Sequence, residues 1–362
     1  MELHDLTLRE GDQMPDRSYD ADAKVEAALA LDRLGIAGIQ AGFPATGEVD
    51  RETIRRLDGR VDAKVTGLAR AIPADVDKVA DAGADGVDVF TYLSEKQLNH
   101  VVDKSREEML DATLAAVDHA RDRGLAVEVS LVDSFRTDLD VQVDALERLS
   151  DVPVVNLPDS VGAVTPLTVS ERLSALGERV DLSRVGVHFH DDLGCAAANT
   201  LVAKEQGVRK ADVAVAALGE RAGNTPLEQV VVGSTADRGD DLGLRVEDLI
   251  PACRDVLDAL GEDVDSRTPI LGDEPVTHES GIHTTAMLDE PSAFEPFDPA
   301  RFGGKRRLLF GAQSGRGAAT GLLERAGLEP TDDRVDRALD LFAAEGPLET
   351  EEAVALLAER VD

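Results

Sequence analysis

The residues most able to do chemistry in this chain are two histidines placed two positions apart, His188 and His190. They end an apolar run that begins at Val185, and the sequence Asp-Asp-Leu-Gly follows them. Because side chains alternate between the two faces of a β-strand, both imidazoles leave the strand on the same face. Histidine is also the commonest metal ligand in proteins. The pair therefore predicts half of a metal site at the carboxyl end of a strand.

Two other groups of polar residues follow runs that also have the pattern of strands. Arg9 and Glu10 come directly after Leu3 to Leu8, and the sequence Gly-Glu-Arg-Ala-Gly-Asn, which ends at Asn224, follows Ala211 to Ala217. Barrels and open α/β sheets place their catalytic groups at such strand ends. Two histidines, one carboxylate and one amide oxygen would suit a divalent ion such as Mg, Mn or Zn.

A site of this composition favours a 2-oxo acid as the substrate. The carboxylate and keto oxygens of such an acid can chelate the ion in a five-membered ring, while Arg9 pairs with the carboxylate. The ion then polarises the keto carbon for attack by a carbanion. The alternative for His188 and His190 is a buried pair whose ring nitrogens are satisfied by backbone groups.

The elements that must position these residues alternate regularly between strand and helix up to residue 240. Segments such as Ala21 to Leu34, Ser105 to Arg123 and Leu193 to Gln206 carry apolar residues at helical spacing. This alternation predicts a closed parallel (β/α)8 TIM barrel over residues 1–240, with an open doubly wound sheet as the alternative. The barrel is favoured because it makes strands 1, 7 and 8 neighbours. The candidate strands are Leu3 to Leu8, Gly35 to Gly42, Ala63 to Ala69, Gly86 to Tyr92, Ala126 to Leu131, Pro153 to Leu157, Arg184 to His190 and Ala211 to Ala217.

The pattern changes after residue 240 to helices without intervening strands. Residues 241–362 are therefore predicted to form a helical C-terminal subdomain. Within it lie a polar loop, Thr277 to His283, and a basic cluster, Lys305-Arg306-Arg307. No internal repeat or low-complexity linker separates the two parts.

The charge of the chain restricts its partners. Its 72 acidic and 38 basic residues give a formal net charge of -34, which argues against nucleic acid and anionic membranes as partners. Acidic residues are spread along the whole chain and aromatic residues make up only 3%. Such a surface is expected of a halophilic protein, because molar salt screens the repulsion between its charges. An acidic protein adapted to ordinary salt is the alternative.

The two cysteines indicate a reducing compartment. Cys195 and Cys253 lie far apart and outside any Cys-x-x-Cys spacing, so neither a zinc ribbon nor a disulfide framework is predicted. The amino terminus has the pattern of a charged strand, and no run of about 18 apolar residues occurs. We therefore expect a cytoplasmic protein without a signal peptide or membrane span.

Three motifs resemble those of the 2-isopropylmalate, homocitrate and citramalate synthases. Two later segments are also similar to that family, so the resemblance extends over nearly the whole chain. The three motifs are Leu6 to Gln13, His188 to Gly194 with Asn199, and Gly219 to Asn224; the later segments are Thr277 to His283 and Phe310 to Gly315.

The resemblance implies condensation of acetyl-CoA, as co-substrate, with a 2-oxo acid, followed by hydrolysis of the thioester. By position, Arg9 would hold the oxo acid. The implied metal ligands are Glu10, His188, His190 and Asn224.

Three more residues take implied roles from the same resemblance. His283 would be the base that enolises the acetyl group, or its relay. His278 would help to bind substrate. Ser160 stands where the family usually has threonine and would line the oxo-acid pocket.

The chain departs from the family at several positions. Gln40 replaces a usual glutamate, Val132 replaces a pocket glutamate that helps to organise the acid-base step, and Ala312-Gln313 replaces a lysine-histidine pair. Glu10 stands where the family more often has aspartate, although homocitrate synthases resemble this chain in using glutamate.

The favoured interpretation is an isopropylmalate-type synthase of leucine biosynthesis, with homocitrate and citramalate synthases as alternatives. A lyase of the same superfamily and an inactive paralogue that binds the oxo acid as a sensor also remain open. The resemblance implies a homodimer in which the segment after the barrel reaches over the partner's active site. Because the sequence stops at Asp362, we expect no leucine-binding regulatory domain and little inhibition by leucine.

Overall fold

Eight parallel strands close into a barrel in the first of two units of the computed structural model, Met1–Asp263. The structure describes residues 1–361. Each strand pairs with the next, and β1 pairs with β8 to close the barrel, which confirms the predicted fold. The strands are β1 Glu2–Asp5, β2 Gly38–Gly42, β3 Lys64–Arg70, β4 Gly86–Tyr92, β5 Ala126–Val132, β6 Val154–Asp159, β7 Val185–Phe189 and β8 Lys210–Val213.

The first and last barrel strands end earlier than the sequence predicted. After β1 the Asp5 carboxylate accepts hydrogen bonds from the backbone N–H and the hydroxyl of Thr7, at 2.9 and 3.0 Å. These bonds turn the chain into a helix one residue beyond the strand, so Arg9 lies on that helix rather than directly at a strand end. After β8 the chain turns at Ala216 and Ala217, which both have positive φ angles.

Helices connect the strands and cover the outside of the barrel. The helix α2, for example, begins after Asp20, whose side chain accepts from the N–H of Ala23, and ends at Gly35 in the left-handed conformation. The helices of this unit are α1 Thr7–Glu10, α2 Ala21–Leu34, α3 Glu48–Leu57, α4 Pro73–Asp81, α5 Glu95–Gln97, α6 Arg106–Asp122, α7 Leu139–Arg148, α8 Pro166–Gly177, α9 Ala196–Glu205, α10 Leu227–Val232 and α11 Leu249–Leu260.

The second unit, from Val264 onward, has a sheet and a hydrophobic core of its own. The predicted absence of strands in this region is wrong, because β10 pairs with β9 in parallel and with β11 in antiparallel. Phe310, Leu322, Phe342 and Leu357 lie at the centre of the core. The elements are β9 Thr277–His278, α12 Gly281–Asp289, β10 Arg307–Phe310, α13 Arg316–Arg325, α14 Asp332–Glu345, β11 Leu348–Glu349 and α15 Thr350–Arg360.

The division between the units comes after Asp263, later than the boundary after residue 240 expected from the sequence. The physical reason is α11, which packs against α2 of the barrel. Arg33 and Asp255 form an ion pair of 2.6 Å between these helices. Just beyond α11, Glu262 accepts a hydrogen bond of 3.0 Å from the Tyr19 hydroxyl. Over residues 1–361, no helix has the length and apolarity needed to span a membrane.

Candidate metal centre and acceptor pocket

Three of the four predicted metal ligands meet at the carboxyl end of the barrel. Donor atoms of Glu10, His188 and His190 all lie within 4.8 Å of one another, and the three residues are buried. The Nε2 atom of His188 lies 3.3 Å from Nε2 of His190 and 4.0 Å from Oε1 of Glu10. His188 is on β7 and Glu10 ends α1, so the barrel closure brings together residues far apart in sequence.

Asn224, the fourth predicted ligand, lies beside this cluster. A backbone bridge joins it to His190, and its side-chain N–H donates to the Leu218 carbonyl at 3.3 Å. The turn that carries it requires glycine at position 223. Gly223 has a φ of 92°, and a Cβ atom there would lie 1.8 Å from the carbonyl oxygen of Ala217. The Gly-Asn pair of the motif is thus explained by backbone geometry.

Buried atoms without partners show that these residues fit a metal ion. Within residues 1–361, Oε2 of Glu10 and Oδ1 of Asn224 are buried and have no hydrogen-bond partner. An unpaired buried polar atom is costly, and several together indicate a missing ligand. Burial, with the positive charges of nearby groups, lowers the pKa of His190 to about 2, so its imidazole is in the neutral form that ligates metals.

Asp212 orients the ring of His188 by contacting Nδ1, while Nε2 faces the other ligands. Its Oδ2 lies 3.4 Å from Nδ1 of His188, and its Oδ1 lies 3.0 Å from the Lys210 ammonium. Burial opposes ionisation of Asp212, but Lys210 and His188 hold the pKa of its carboxyl below the usual range. Lys210 also pairs with Glu128 at 2.6 Å. A carboxylate behind a ligating histidine is the usual arrangement for fixing its tautomer.

Arg9 is held between two acceptors at the edge of this cluster. Its Nε donates to Oε1 of Gln40 at 2.6 Å, and its Nη1 contacts Oε1 of Glu10. Burial lowers the pKa of Arg9 to about 10, so the guanidinium is still charged at neutral pH. This partly buried cation beside the cluster is suited to binding a carboxylate.

A cavity of about 450 Å³ opens over these residues and has two different sides. The side near β1, β7 and β8 carries the metal cluster and Arg9. The opposite side is mostly apolar, although Asp88 on β4, Ser130 on β5 and Gln97 also line the cavity. The apolar lining residues on that side are Phe43, Leu68, Phe90, Val101, Val132 and Val161, with the Tyr92 ring among them.

Ser160 lines the same cavity, as the sequence predicted. Its hydroxyl accepts a hydrogen bond of 2.9 Å from the N–H of Asp133, and its carbonyl accepts one from Arg221 at 2.9 Å. Arg221 also donates two hydrogen bonds of 2.9 and 3.0 Å to the Asp192 carboxylate. The two polar motifs at β7 and β8 are therefore tied together at the cavity.

His278 and His283 lie in the second unit, on β9 and α12. Their ring centroids are 6.0 Å apart, and the ring of His283 stacks on Phe294 at 3.9 Å. The sequence predicted a loop for His283, whereas the structure has a helix that begins at Gly281. The catalytic and binding roles of both histidines remain predictions.

Sequence reasoning missed two acids on barrel strands, Asp88 and Asp212. Both are buried inside the barrel and reach the cavity from β4 and β8. The available signal was a single acid within an otherwise apolar strand, since Asp and Glu are rarely buried unless they are paired. Leu68 and Phe90 gave no such signal, because an apolar residue in a strand is expected on any face.

Two family models match consecutive parts of this chain. The HMGL-like model matches residues 1–256, and the model described as homocitrate synthase post-HMGL domain-like matches residues 270–346. Together they cover most of the described chain and divide it near the boundary between its two units.

Curated relatives from Methanopyrus kandleri include three kinds of synthase. A probable 2-isopropylmalate synthase is 38% identical over 92% of this chain and 67% of its own length. The homocitrate synthase AksA is 37% identical over 95% of this chain and 87% of its own length. A putative (R)-citramalate synthase, CimA, is 35% identical over 92% of this chain and 66% of its own length. The chain thus spans about two thirds of the isopropylmalate and citramalate relatives.

Solved structures confirm the barrel fold. Hydroxymethylglutaryl-CoA lyase from Pseudomonas aeruginosa superposes with a TM-score of 0.66 at 21% identity, covering 74% of this chain and 95% of the lyase. The Bacillus subtilis lyase gives a TM-score of 0.65 at 22% identity, covering 74% of this chain and 95% of that one.

Proposed function

Since the chain belongs to the HMGL-like family, we propose that it is an acyltransferase that condenses acetyl-CoA with a 2-oxo acid and then hydrolyses the thioester, as in 2-isopropylmalate synthesis. The observation that carries this proposal is the buried cluster of Glu10, His188 and His190 beside Arg9. The cluster offers ligands for an ion, and the arginine offers a partner for the carboxylate of an oxo acid.

Glu10, His188, His190 and Asn224 would hold a divalent cation of the Mg, Mn or Zn type. When bound, such an ion supplies Lewis-acid polarisation of the acceptor's keto group. The unpartnered oxygen atoms of Glu10 and Asn224, and the Nε2 atom of His190 that faces Nε2 of His188, support this assignment.

Arg9 would bind the acceptor's carboxylate, because it is a partly buried cation that lines the cavity next to the ligands. Ser160 would assist it from β6. Its hydroxyl already accepts from Asp133, which leaves its own hydrogen to donate to the acceptor. Two groups held after different strands, β1 and β6, would orient the keto carbon before the acetyl group attacks.

The lining of the cavity favours an acceptor with an apolar side chain, such as 2-oxoisovalerate. Leu68, Phe90 and Val132 can surround a branched alkyl group. A second carboxylate on that side, as in 2-oxoglutarate, would approach the acid Asp88, which also lines the cavity. Pyruvate would leave the apolar side of the cavity unfilled. The 2-isopropylmalate reaction is therefore preferred over homocitrate and citramalate synthesis.

His283 is proposed as the base that removes a proton from the acetyl methyl group, with His278 binding substrate nearby. The stacking of His283 on Phe294 fixes the plane of its ring. By analogy with the family, these residues would act on the active site of the partner subunit in a homodimer. Further, the net charge of -34 supports a halophilic, cytoplasmic enzyme.

The test follows free thiol during incubation of the purified protein in high salt with acetyl-CoA, a divalent metal and one 2-oxo acid at a time. We expect coenzyme A release with 2-oxoisovalerate to exceed that with pyruvate or 2-oxoglutarate, and 2-isopropylmalate as the product. Release with no acid in the panel would contradict synthase activity. Retained oxo-acid binding would then favour the silent paralogue, and cleavage of a 3-hydroxyacyl-CoA would favour the lyase.

Shared active sites can be tested by mixing two inactive variants, His190→Ala and His283→Ala. If His283 serves the partner subunit, mixed dimers contain one intact site and recover part of the activity. Subunit exchange is verified by labelling each variant with a different tag. A mixture that exchanges subunits and is still inactive would contradict the proposal.

A further inference from the structure

A row of hydrogen bonds crosses the barrel beneath the cavity, from β2 to β6, and we call it the polar belt. It consists of Arg9, Gln40, Asp88, Ser130 and Asn156. Arg9 donates to Gln40 at 2.6 Å, and Gln40 donates to Asp88 at 3.3 Å. The Ser130 hydroxyl lies 2.8 Å from both carboxylate oxygens of Asp88 and accepts from Asn156 at 3.2 Å. Gln40 and Asp88 are each only 3% exposed.

The orientation of the Gln40 amide is fixed by its two neighbours. The Nε of Arg9 carries a hydrogen and has no lone pair to offer, so the atom that faces it must be the amide oxygen. The amide nitrogen then points at the Asp88 carboxylate, which is an acceptor. Gln40 thus accepts on one side and donates on the other, which neither glutamate nor an apolar residue can do.

Asp88 explains why glutamine rather than glutamate suits position 40. A glutamate at position 40 would place a carboxylate oxygen about where the amide nitrogen now lies, 3.3 Å from the Asp88 carboxylate. Two ionised carboxylates at that distance in a buried site repel strongly, and one of them must take a proton or move away. A displacement would break the bond to Arg9, and the uptake of a proton would add a free-energy cost that glutamine does not carry.

The belt also restricts Arg9 before any substrate arrives. Its Nε is held by Gln40, and its Nη1 is held by Glu10. A long, flexible side chain loses conformational entropy when it binds a ligand. A guanidinium that is already held in place has lost that entropy before the ligand arrives. The cavity therefore contains an arginine in a defined pose.

We propose that Gln40 and Asp88 form a matched pair of positioning residues that hold Arg9 in place for the carboxylate of the 2-oxo acid. The proposal rests on the function proposed above. The identity of one member dictates that of the other, since an amide at position 40 needs an acceptor at position 88 and a carboxylate at position 40 needs a donor there.

The first variant is Gln40→Glu. We expect the KM for the 2-oxo acid to rise about tenfold or more, on the scale of a hydrogen bond to a charged group. The value of kcat should change much less, because Arg9 would contact the acceptor's carboxylate both before and during the reaction. Isothermal titration of the metal-loaded protein with the 2-oxo acid, without acetyl-CoA, should show the same loss of affinity.

The decisive variant is the exchange Gln40→Glu with Asp88→Asn. The amide nitrogen at position 88 can then donate to the carboxylate at position 40, and the carboxylate still accepts from Arg9. Ser130 can donate to the amide oxygen at position 88, and the net charge of the belt is unchanged. We expect the KM to return to within about threefold of the wild-type value, which is the positive coupling that a double-mutant cycle measures.

Gln142→Glu is the matched control. Gln142 is also a buried glutamine that accepts from an arginine, Arg172 at 3.1 Å, and donates to an acceptor, the Ser134 carbonyl at 2.6 Å. It does not line the cavity. The same substitution there should lower thermal stability and leave the KM for the oxo acid unchanged.

The outcomes separate this inference from the proposed function. If the wild-type protein turns over no 2-oxo acid, the proposed function fails. If the wild type is active and Gln40→Glu has an unchanged KM, the matched pair is wrong. A folded double variant as impaired as Gln40→Glu would also overturn it. If Gln40→Glu does not fold, the double variant alone tests the proposal. A folded double variant with a near-wild-type KM for the oxo acid supports the matched pair, and one with a raised KM contradicts it.

Discussion

The two sides of the cavity satisfy their polar atoms in opposite ways. On the side of β1, β7 and β8, Glu10 and Asn224 bury oxygen atoms that have no partner in residues 1–361. On the side of β4 and β5, the oxygens of Asp88 and Ser130 are bonded to each other and to neighbours, although Oδ1 of Asn156 farther along the belt also lacks a partner. The unsatisfied oxygens beside His188 and His190 therefore indicate where a ligand would bind, whereas Asp88 and Ser130 belong to a framework that is bonded before binding.

The largest effect is expected from His190→Ala on the unsatisfied side. Removal of one of two imidazole ligands should abolish metal retention and reduce turnover to background. The fold should survive, because catalytic sites at the carboxyl ends of barrel strands are separate from the packed interior. Metal content after gel filtration, turnover and far-UV circular dichroism test the three expectations. Full turnover by this variant after treatment with a chelator would refute the metal site.

A smaller loss is expected from Asp212→Asn, which leaves all four ligands in place. The amide cannot accept as strongly from Nδ1 of His188, which now lies 3.4 Å from the carboxylate. Loss of such a partner typically costs 10–100-fold in metal affinity. Titration of metal into the apo protein by calorimetry gives the number directly.

Asp75→Asn is the control for this variant. Asp75 is a buried acid that pairs with Arg70, at 2.5 and 3.1 Å, away from the cavity lining. We expect its substitution to lower stability without changing metal affinity. Equal losses of affinity in the two variants would show that Asp212 acts through general stability rather than through His188.

Some features of the fold and of the site could be predicted from the sequence, and others could not. Periodicity revealed all eight barrel strands, and the two-residue spacing of His188 and His190 gave their common face. The end of β1 was missed because a local bond from the Thr7 N–H to the Asp5 carboxylate overrides the apolar alternation that continues to Leu8. The short strands of the second unit were missed because they have only two to four residues, too few for a period to show.

The belt and the support of His188 could not be predicted, because they depend on contacts between distant strands. Gln40 and Asp88 are 48 positions apart, and nothing in either strand indicates that the two side chains are in contact. Likewise, Asp212 gains its role only when closure of the barrel places β8 next to β7. In contrast, the metal ligands could be named because a resemblance supplied their roles residue by residue.

The apolar side of the cavity should respond differently from the metal side. Leu68→Ala removes three carbon atoms from the wall, which weakens contact with a branched acceptor. We expect kcat/KM for the preferred 2-oxo acid to fall about tenfold, in the range that one or more methylene groups contribute to specificity. Metal affinity, measured by the same calorimetric titration, should be unchanged. A parallel loss of metal affinity would show that the two sides are not independent.

Salt should have the smallest effect on the metal centre and a clear one on the protein as a whole. The net charge of -34 resides mostly on exposed acids, whose mutual repulsion is screened once the Debye length falls from about 10 Å at 0.1 M to about 3 Å at 1 M. The buried Lys210, Glu128 and Asp212 charges behind His188 are compensated within the barrel and are screened much less. The thermal midpoint of unfolding should therefore rise with potassium chloride up to molar concentrations. Metal affinity should change by less than about threefold, because a buried and compensated site has little repulsion to screen.

Two results would contradict these expectations. A thermal midpoint that is the same in dilute buffer and in molar salt would mean that the acidic surface has a cause other than salt adaptation. A metal affinity that rises together with the midpoint would show that the buried charges depend on screening as the surface charges do.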